Sequence, residues 1–455
     1  MKNSVFNFLF PIFCCFLLLM LLAGCGSDDK DEPEPVIEPE ADYTVILYGC
    51  GGGDLDHALR YNLDQVAASG YSPKVQFTAL VKFSADQQEN EGMEGTIRYT
   101  MEEEGMTHER VNDANFRLDN PDHLAGFIRE SMERLPAKKY VLVLWNHGSG
   151  FDLWDQPLDL SSFEQKGRGM IMDDNCEEDG YDAAMSIFEL EEGLKRSGVK
   201  LDMIYWDLCL MNMIENLYQV KDYARYVLGS SHSTPDLGGN YALLMKVLEH
   251  HAEIEDAMRE YIPKVMDTWK SAFQLGNLDL QLMDMSKIEA VAKCFKPFVE
   301  GMIELREVYS EGEEEDALWF DYNQREAMYL FDGEFYSIDM ARFAKYMANR
   351  TFYGELSAKV VELNEALEEM IVARERFDLP ASEQKLEGEV SVGICFLKKE
   401  WYFGQFDSMK GYSVIYPLLH FDEVTHWSDY LKINDMKTVI FDGEHFVEVP
   451  WEEEN

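Results

Sequence analysis

The sequence predicts an α/β fold, in which a mostly parallel sheet is flanked by helices and a largely helical C-terminal extension returns to strand. From residue 42 to about residue 241, short apolar runs alternate with segments of helical periodicity, and this alternation is typical of parallel sheets covered by helices. Residues 242–375 have mainly helical patterns, and strand character returns in EVSVGICFL at 389–397. We therefore predict a core at 42–250 and a C-terminal region of the same fold at 251–455.

Each predicted strand is a short apolar run, and each predicted helix repeats apolar residues at helical spacing. Leu124, Phe127 and Ile128, for example, share one face of a helix. The predicted order is strand 43–50, helix 55–69, strand 75–83, helix 122–135, strand 140–145, strand 168–172, helix 186–198, strand 201–209 and strand 226–231. In a sheet of this kind, ligands bind at the edge formed by the carboxyl ends of the strands.

The chain is long and strongly acidic. Its 455 residues are 46% hydrophobic, which is enough for one large domain or two ordinary ones. Acidic residues outnumber basic ones by 86 to 40, and the formal net charge is −46. Such a surface repels nucleic acid and anionic membranes, so we predict no nucleic-acid partner. Solubility is the simplest explanation of the excess charge.

The first 25 residues have the order of an export signal. One lysine precedes an apolar stretch from Phe6 to Leu22, which ends in Leu22-Ala23-Gly24-Cys25. This tetrapeptide resembles the lipobox of bacterial lipoproteins, which implies lipidation of Cys25 and attachment of the mature chain to a membrane. An uncleaved membrane anchor is the alternative, and both place the rest of the chain outside the cytoplasm.

An acidic, proline-rich segment at residues 26–41 follows the lipobox. It has little to bury, so we predict an extended tether. Its opening SDDKDE resembles the surface-export signal of Bacteroidota lipoproteins. The predicted location is therefore the outer membrane or the cell surface, where the lipid on Cys25 would hold the protein.

Five cysteines follow Cys25, and their spacing indicates neither a disulfide framework nor a zinc site. They are odd in number and far apart, without a CxxC pair: Cys50, Cys176, Cys209, Cys294 and Cys395. At least one free thiol is therefore expected. In an exported protein such a thiol is a liability unless it is buried or used.

The glycine-rich stretch GCGGGD at residues 49–54 ends the first predicted strand. It lacks the third glycine at the dinucleotide-binding spacing, and no acidic residue closes the next strand. We interpret it as a tight turn rather than as a phosphate-binding loop.

A histidine and a cysteine follow two of the predicted strands. The strand at 140–145 continues into Asn146-His147-Gly148, and the strand at 201–209 ends in Cys209. An amphipathic helix is predicted directly after Cys209, since Leu210, Met213, Ile214 and Leu217 lie at helical spacing. The positive end of that helix would lie beside the thiol and favour the thiolate.

If these two strands are neighbours, His147 and Cys209 form the Cys–His pair that nucleophilic catalysis requires. The backbone N–H groups of Gly148 and Cys209 would then hold an oxyanion. Each residue also has a structural interpretation, as a small buried cysteine or as a histidine in an ordinary turn. The spacing alone leaves both interpretations open.

The two motifs together resemble those of the clostripain family of cysteine peptidases, whose fold is caspase-like. The resembling segments are YTVILYG (43–49), YVLVLWNHGSGF (140–151), LDMIYWDLCLM (201–211), YSIDMARFAKYM (336–347) and the segment 393–431. They span nearly the whole mature chain. The resemblance implies that Cys209 is the nucleophile and His147 the general base and acid of a peptidase whose chemistry requires no cofactor.

The resemblance also implies that Asp207, two residues before the nucleophile, lines an acidic pocket for a substrate Arg or Lys. A carboxylate aimed at the thiol would suppress the nucleophile, so Asp207 should point away from it; capping of the next helix is the alternative. The family's P-x-D-G-W-like turn is replaced here by HSTPDLGGNY at 232–241, without Trp and with His and Ser at acidic positions. Asp236 is the candidate substitute, and this departure leaves basic specificity open.

Two further family properties have candidate positions in this chain. Clostripain-like enzymes are processed between the catalytic His and Cys, and Lys166 and Arg168, at the end of the polar loop 149–167, are candidate cleavage points; an uncleaved loop is the alternative. Clostripain itself depends on calcium. The segment DDNCEEDGYD at 173–182 is rich in carboxylates but lacks the glutamate at position twelve of an EF-hand. A weak calcium site and a solvated acidic turn both stay open.

These observations together predict an exported, lipid-anchored cysteine endopeptidase that cleaves peptides or proteins through Cys209 and His147, after Arg or Lys. One alternative is a non-catalytic surface lipoprotein that binds peptide or another ligand on the same fold. A serine hydrolase with HGSG as its oxyanion loop is a second alternative. It requires a G-x-S-x-G elbow, and GSSHS at 229–233 lacks the closing glycine.

Overall fold

Strands alternate with helices through the first half of the chain, as the sequence predicts. The computed structural model describes residues 41–85, 90, 92–113, 116–150, 169–178, 181–272, 277–329, 337–351, 354–377, 391–404 and 412–450. Its strands are β1 (Ala41–Cys50), β2 (Val75–Phe83), β3 (Gly95–Glu102), β4 (Gly105–Arg110), β5 (Ala137–Trp145), β6 (Met170–Glu178), β7 (Tyr181–Met185), β8 (Leu201–Asp207), β9 (Ala224–Gly229), β10 (Leu278–Asp284), β11 (Ser337–Asp339), β12 (Ile371–Phe377), β13 (Gly393–Cys395), β14 (Val439–Phe441) and β15 (Phe446–Glu448).

Helices connect these strands and make up most of the C-terminal region. They are α1 (Asp56–Ser69), α2 (Pro121–Arg134), α3 (Ile187–Ser197), α4 (Ile214–Val220), α5 (Tyr241–His250), α6 (Ile254–Ala272), α7 (Ile288–Glu311), α8 (Glu314–Tyr329), α9 (Met340–Thr351), α10 (Gly354–Met370), α11 (Lys399–Tyr402), α12 (Tyr412–Ile415), α13 (His420–Thr425) and α14 (Trp427–Ile433). Of the described helices, none is long and apolar enough to cross a membrane.

Nine strands form one central sheet, in the order β12-β10-β9-β8-β5-β1-β2-β3-β4. The strands from β9 to β2 pair in parallel, while β3 and β4 at one edge and β10 and β12 at the other pair antiparallel. This confirms the predicted α/β fold with a mostly parallel sheet. It also places β5 and β8, the strands before His147 and Cys209, directly beside each other.

Alternate residues of the central strands bury opposite faces of the sheet. Ile46, Leu142 and Ile204 lie in the core with α2, α3, α4 and most of the C-terminal helices, whereas Val45 and Val143 lie in the core with α1, α5 and α6. Strands buried on both faces read as nearly continuous apolar runs, which is why the central strands were recognisable in the sequence.

Several strands differ from the prediction. The hairpin β3–β4 was not predicted, and β10 and β12 lie within the segment predicted to be helical. Strand β6 pairs with β7 in a separate two-stranded sheet rather than in the central one. Strands at a sheet edge bury fewer residues: β4 has no buried side chain, and its apolar pattern is correspondingly weak.

The C-terminal region packs onto the sheet through helices and then returns to the loop that follows β8. The described residues, from 41 to 450, belong to one compact unit. The predicted strand at 389–397 is represented by β13, which pairs with β11. The amide of Gly393 donates to the carbonyl of Asn212, 2.8 Å away, so the C-terminal region supports the chain just after Cys209.

Candidate active site

His147 and Cys209 follow neighbouring strands at the same register. Trp145 at the end of β5 pairs with Asp207 at the end of β8, and each of the two residues lies two positions farther on. We name residues 146–150 the His147 loop and residues 208–213 the Cys209 loop. The structure therefore brings His147 and Cys209 to one edge of the sheet.

Gly148 is the point at which the two loops touch. A Cβ atom added there would lie 2.5 Å from the carbonyl oxygen of Cys209 and 2.9 Å from the Cβ of Leu208. Only glycine therefore permits this approach of the two backbones. Among the hydrogen bonds of the described residues, the amides of Gly148 and Cys209 donate none.

The thiol and the imidazole each have another partner in this structure. Cys209 is a free, half-buried thiol; its Sγ accepts from the amide of Thr234 at 3.3 Å and lies 3.5 Å from the Thr234 hydroxyl. His147 Nε2 lies 3.0 Å from the Oδ2 of Asp54. In the described structure no hydrogen bond joins His147 to Cys209.

The backbone after Cys209 corrects the predicted helix. Leu210 has a φ of +63°, a left-handed conformation that is costly for a residue with a branched side chain. The amides of Leu210 and Asn212 donate to the carbonyls of His232 and Ser230, each at 3.0 Å. The helix α4 consequently begins only at Ile214, so its N-terminus does not adjoin the thiol as predicted. Cys209 instead projects from a sharp turn held by the chain after β9.

Asp207, at the end of β8, contacts a different part of the segment after β9 from the part that contacts the thiol. Its side chain is buried, and Oδ2 accepts from the amide of Gly239 at 2.8 Å and from the hydroxyl of Tyr241 at 2.7 Å. Oδ1 has no hydrogen-bond partner among the described residues. Burial raises the pKa of Asp207 to about 6, against the smaller effect of the two hydrogen bonds.

The turn at 235–240 covers Asp207 without placing a side chain over it. Gly238 has a φ of +63°, and a Cβ there would lie 2.7 Å from Asp207 Oδ2. A Cβ on Gly239 would lie 2.7 Å from the hydroxyl of Tyr205. This turn therefore has no room for a bulky residue such as the family's Trp at either glycine.

The structure does not bring Asp236 to Asp207. Asp236 lies on the outer side of the turn, where its side chain is 61% exposed and its Oδ2 is 3.8 Å from the Nε2 of His57. His232, at one of the family's acidic positions, is buried with Nδ1 2.6 Å from Asp279. Its side chain thus belongs to a buried polar cluster under the Cys209 loop, and Ser230 and Ser231 of the GSSHS stretch are buried there too.

Three predicted site residues lie outside the described residues: Cys25, Lys166 and Arg168. The carboxylate-rich segment 173–182 is described for only some of its side chains. Asp173 is buried, and its Oδ2 accepts from the Lys82 ammonium at 2.6 Å, so this carboxylate takes part in a buried ion pair. Across the described part of the chain, no cluster of three or more His, Cys, Asp or Glu could hold a metal ion.

Asp54 is the site residue that sequence reasoning missed. It lies in the GCGGGD stretch, which was interpreted only as a tight turn. The signal that could have identified it is positional: β1 borders β5, so the residues just after β1 lie at the same sheet edge as His147. A polar residue there was a candidate partner for the histidine.

Comparisons with known proteins bear on the family and the fold. The model of the clostripain family matches residues 84–432, most of the chain. Among solved structures, a secreted C11 cysteine protease from Bacteroides thetaiotaomicron, iotapain, is similar, with a TM-score of 0.57 and 15% identity over 85% of this chain and 99% of that chain. An inactive zymogen C11 protease from Parabacteroides distasonis has a TM-score of 0.57 and 16% identity over 86% of this chain and 99% of that one.

At these identities the solved structures show the fold, and the family model shows the family. No curated protein sequence matches the chain. A third solved structure, of a secreted C11 cysteine protease from Bacteroides thetaiotaomicron in complex with an irreversible peptide inhibitor, has a TM-score of 0.57 at 16% identity, over 85% of this chain and 99% of that one. On the match of the family model, this chain belongs to the clostripain family of C11 cysteine proteases.

Proposed function

We propose that this chain hydrolyses peptide bonds as an endopeptidase, with Cys209 as the nucleophile and His147 as the general base and acid. One observation carries the proposal. The two residues follow neighbouring parallel strands at the same register, and their loops touch at Gly148. A free thiol and an imidazole at one sheet edge are the elements of nucleophilic catalysis.

Each half of the reaction requires two proton transfers through His147. The imidazole takes the thiol proton of Cys209, and the thiolate adds to the carbonyl carbon of the peptide bond. The resulting oxyanion would accept hydrogen bonds from the amides of Gly148 and Cys209. The imidazolium then protonates the leaving amine, and the C–N bond breaks to give an acyl-enzyme. Water, deprotonated by the imidazole, releases the acid and restores the thiol.

Productive contact between the thiol and the imidazole requires side-chain rotation. In this structure Cys209 faces Thr234 and His147 faces Asp54. Hydrogen bonds in an active site are often long or misaligned without substrate and tighten when it binds. Rotation of the Cys209 side chain away from Thr234 would turn the thiol toward the imidazole, while His147 keeps its contact with Asp54.

Asp207 supports a preference for Arg or Lys before the scissile bond. It is a buried carboxylate with one oxygen that has no partner among the described residues, and an ionised group in that position is stabilised by a cationic side chain. Asp236 is exposed and paired with His57, so we do not assign it to the pocket. Cleavage after basic residues would therefore rest on Asp207 alone.

Export, anchoring and processing complete the proposal. The lipobox-like Leu22-Ala23-Gly24-Cys25 supports lipid attachment at Cys25 on the outer membrane or cell surface. Lys166 and Arg168 are the proposed processing points. Metabolic labelling with a clickable fatty acid should mark the wild type but not Cys25→Ala, and intact mass measurement should show a cut after residue 166 or 168. A full-length mass with complete activity would exclude processing as a requirement.

The decisive experiment compares purified residues 26–455 with the Cys209→Ala variant on fluorogenic peptides. The peptides would carry Arg, Lys, Asp or Leu before the scissile bond, with calcium or with chelator. Cleavage after Arg or Lys that disappears in the variant would support the dyad and the basic pocket. Cys209-dependent cleavage after Asp or Leu would retain the peptidase and exclude the basic pocket. Absence of cleavage, together with an unreactive Cys209, would favour a peptide-binding lipoprotein.

A further inference from the structure

The glycine turn between β1 and α1 brings a carboxylate to His147. The β1 strand lies beside β5, and a Cβ on Gly49 would lie 2.6 Å from the carbonyl oxygen of Trp145. The ends of the two strands are therefore in backbone contact. The side chain of Asn146 extends this contact, since its Nδ2 donates to the carbonyl of Cys50 at 2.7 Å.

The turn itself can be made only by glycines. Gly52 and Gly53 have φ angles of +58° and +79°, which branched side chains rarely adopt. A Cβ on Gly51 would lie 1.8 Å from the Oδ1 of Asp56. The amide of Asp54 then donates to the carbonyl of Gly52 at 3.0 Å. This chain path ends with the Asp54 carboxylate 3.0 Å from the Nε2 of His147.

We infer that Asp54 is a positioning residue for the dyad, orienting His147 through Nε2 so that Nδ1 is the ring nitrogen that exchanges the proton with Cys209. This inference rests on the proposed function. A carboxylate beside one ring nitrogen fixes the N–H there and leaves the lone pair on the other. It also stabilises the imidazolium that forms when the thiol loses its proton.

Other titratable groups lie near the Asp54–His147 pair. His57 Nδ1 contacts the carbonyl of Asp54 at 3.1 Å, and the other nitrogen of His57 faces Asp236. The carboxyl of Asp56 is buried and accepts from the amide of Ser84. His147 and Asp54 are 41% and 66% exposed, so solvent weakens their attraction in the free enzyme. A bound peptide would cover this edge and strengthen it.

The test compares Asp54→Asn and Asp54→Ala with a matched control. Glu260→Gln is the control, because Glu260 also pairs with a partly exposed histidine, His251, at 2.7 Å, but away from this site. With the peptide that the wild type cleaves best, we expect Asp54→Ala to lower kcat about tenfold and leave KM within about twofold, since a positioning residue acts after binding. The amide of Asp54→Asn retains an acceptor, so its loss should be smaller.

A pH profile separates positioning from a general structural effect. The pH profile of kcat/KM should change in Asp54→Asn, because the carboxylate that stabilises the imidazolium formed during the reaction is lost. The profile of Glu260→Gln should not move, and all variants should melt as the wild type does. An unmoved profile with unchanged kcat in both Asp54 variants would overturn the inference, as would an equal loss in Glu260→Gln.

A second measurement keeps this inference distinguishable from the proposed function. The rate at which iodoacetamide alkylates Cys209, followed by peptide mass spectrometry near neutral pH, needs no substrate. Slower alkylation in Asp54→Ala than in Glu260→Gln supports the inference even if no peptide is cleaved. Equal alkylation rates in a wild type that does cleave peptides would leave the peptidase intact and refute the role of Asp54.

Discussion

The two loops that carry the proposed dyad are supported by different parts of the chain. The His147 loop is held by the turn after β1 and by the start of β6: the side chain of Asn146 donates to the carbonyl of Cys50 and accepts from the amide of Met172, each at 2.7 Å. The amide of Ser149 donates to the carbonyl of Gly169 at 3.1 Å. This support thus includes the residues immediately after the segment 151–168.

The Cys209 loop is held by the chain after β9 and by the C-terminal region. Besides the bonds to residues 230–232, the carboxyl of Glu215 accepts from the amide of Cys395 at 2.8 Å and from the hydroxyl of Tyr416 at 2.6 Å. Glu215 is buried just beyond this loop. Because the supports differ, His147 and Cys209 can be perturbed separately. A cut within 151–168 should first displace the His147 loop, and changes near the C-terminus should first displace the Cys209 loop.

The largest effect is expected where the loops touch, at Gly148. In Gly148→Ala the new Cβ would meet the backbone of Cys209 and push the loops apart, at a stability cost of about 1–3 kcal/mol. Displacement of the reacting groups by about 1 Å should lower kcat about 100-fold or more. Steady-state kinetics on every cleavable peptide would measure this loss.

Gly126→Ala is the matched control for Gly148→Ala. Gly126 lies inside α2, and a Cβ there would meet nothing within 4 Å. Alanine in a helix should stabilise the protein by about 0.5–1 kcal/mol without changing kcat. Full activity in Gly148→Ala would mean that the contact between the loops does not position the dyad.

Asp207→Asn tests the role of the buried carboxylate at the end of β8. We expect this change to lower activity on basic peptides but to raise the stability of the protein above pH 6. Removal of the charge should lower kcat/KM about 100-fold for Arg and Lys peptides and leave other cleavable peptides nearly unchanged. In the wild type, kcat/KM for basic peptides should fall as pH drops below about 6, because Asp207 then takes up a proton. For neutral peptides, kcat/KM should show no such fall at low pH.

The stability of Asp207→Asn follows from the raised pKa. The folded state binds the proton more tightly than the unfolded state, so this group favours folding below about pH 4, and that advantage is lost as pH rises through about 6. Above pH 6 the asparagine variant should therefore be more stable than the wild type, by about 3 kcal/mol at most. Urea unfolding at pH 5 and pH 8 measures this difference in the free energy of unfolding. Equal stabilities of the wild type and Asp207→Asn at pH 8 would show that Asp207 is not a buried charge.

Asn146→Ala and Asn212→Ala compare the supports of the two loops directly. Asn146 makes two side-chain hydrogen bonds with the backbone, each at 2.7 Å, whereas the side-chain amide of Asn212 donates one short bond, to the carbonyl of Gly229 at 2.6 Å, and a weak one to the sulfur of Met283 at 3.9 Å. Since each lost bond leaves a buried group unsatisfied, we expect losses of about 2–3 kcal/mol and about 1–2 kcal/mol, respectively. Chemical denaturation measures both, and the reverse order would refute the assigned supports.

The sequence allowed the sheet, the family and the placement of His147 and Cys209 after two strands of the sheet to be predicted, because buried parallel strands and their terminal motifs are local patterns. The helix start after Cys209 was wrong because the apolar spacing of Leu210 and Met213 is also produced by a buried turn; the left-handed φ of Leu210 depends on bonds to residues 230–232. Asp54 could not be assigned because its contact with His147 depends on strand order. Such contacts follow from tertiary structure rather than from local pattern.

The smallest effect is expected at Thr234, which contacts the thiol of Cys209 from outside both loops. Thr234→Val removes the hydroxyl 3.5 Å from Sγ and retains the amide that donates to it at 3.3 Å. A neutral hydrogen bond to sulfur in a half-buried site contributes about 1 kcal/mol or less, so alkylation of Cys209 should change less than about fivefold. If the hydroxyl keeps the thiol turned from His147, its removal should speed alkylation and raise kcat, and Thr234→Ser should restore wild-type rates. A slower reaction in Thr234→Val would instead show that the hydroxyl stabilises the thiolate, and the contact would then belong to the catalytic machinery rather than to a resting orientation of the thiol.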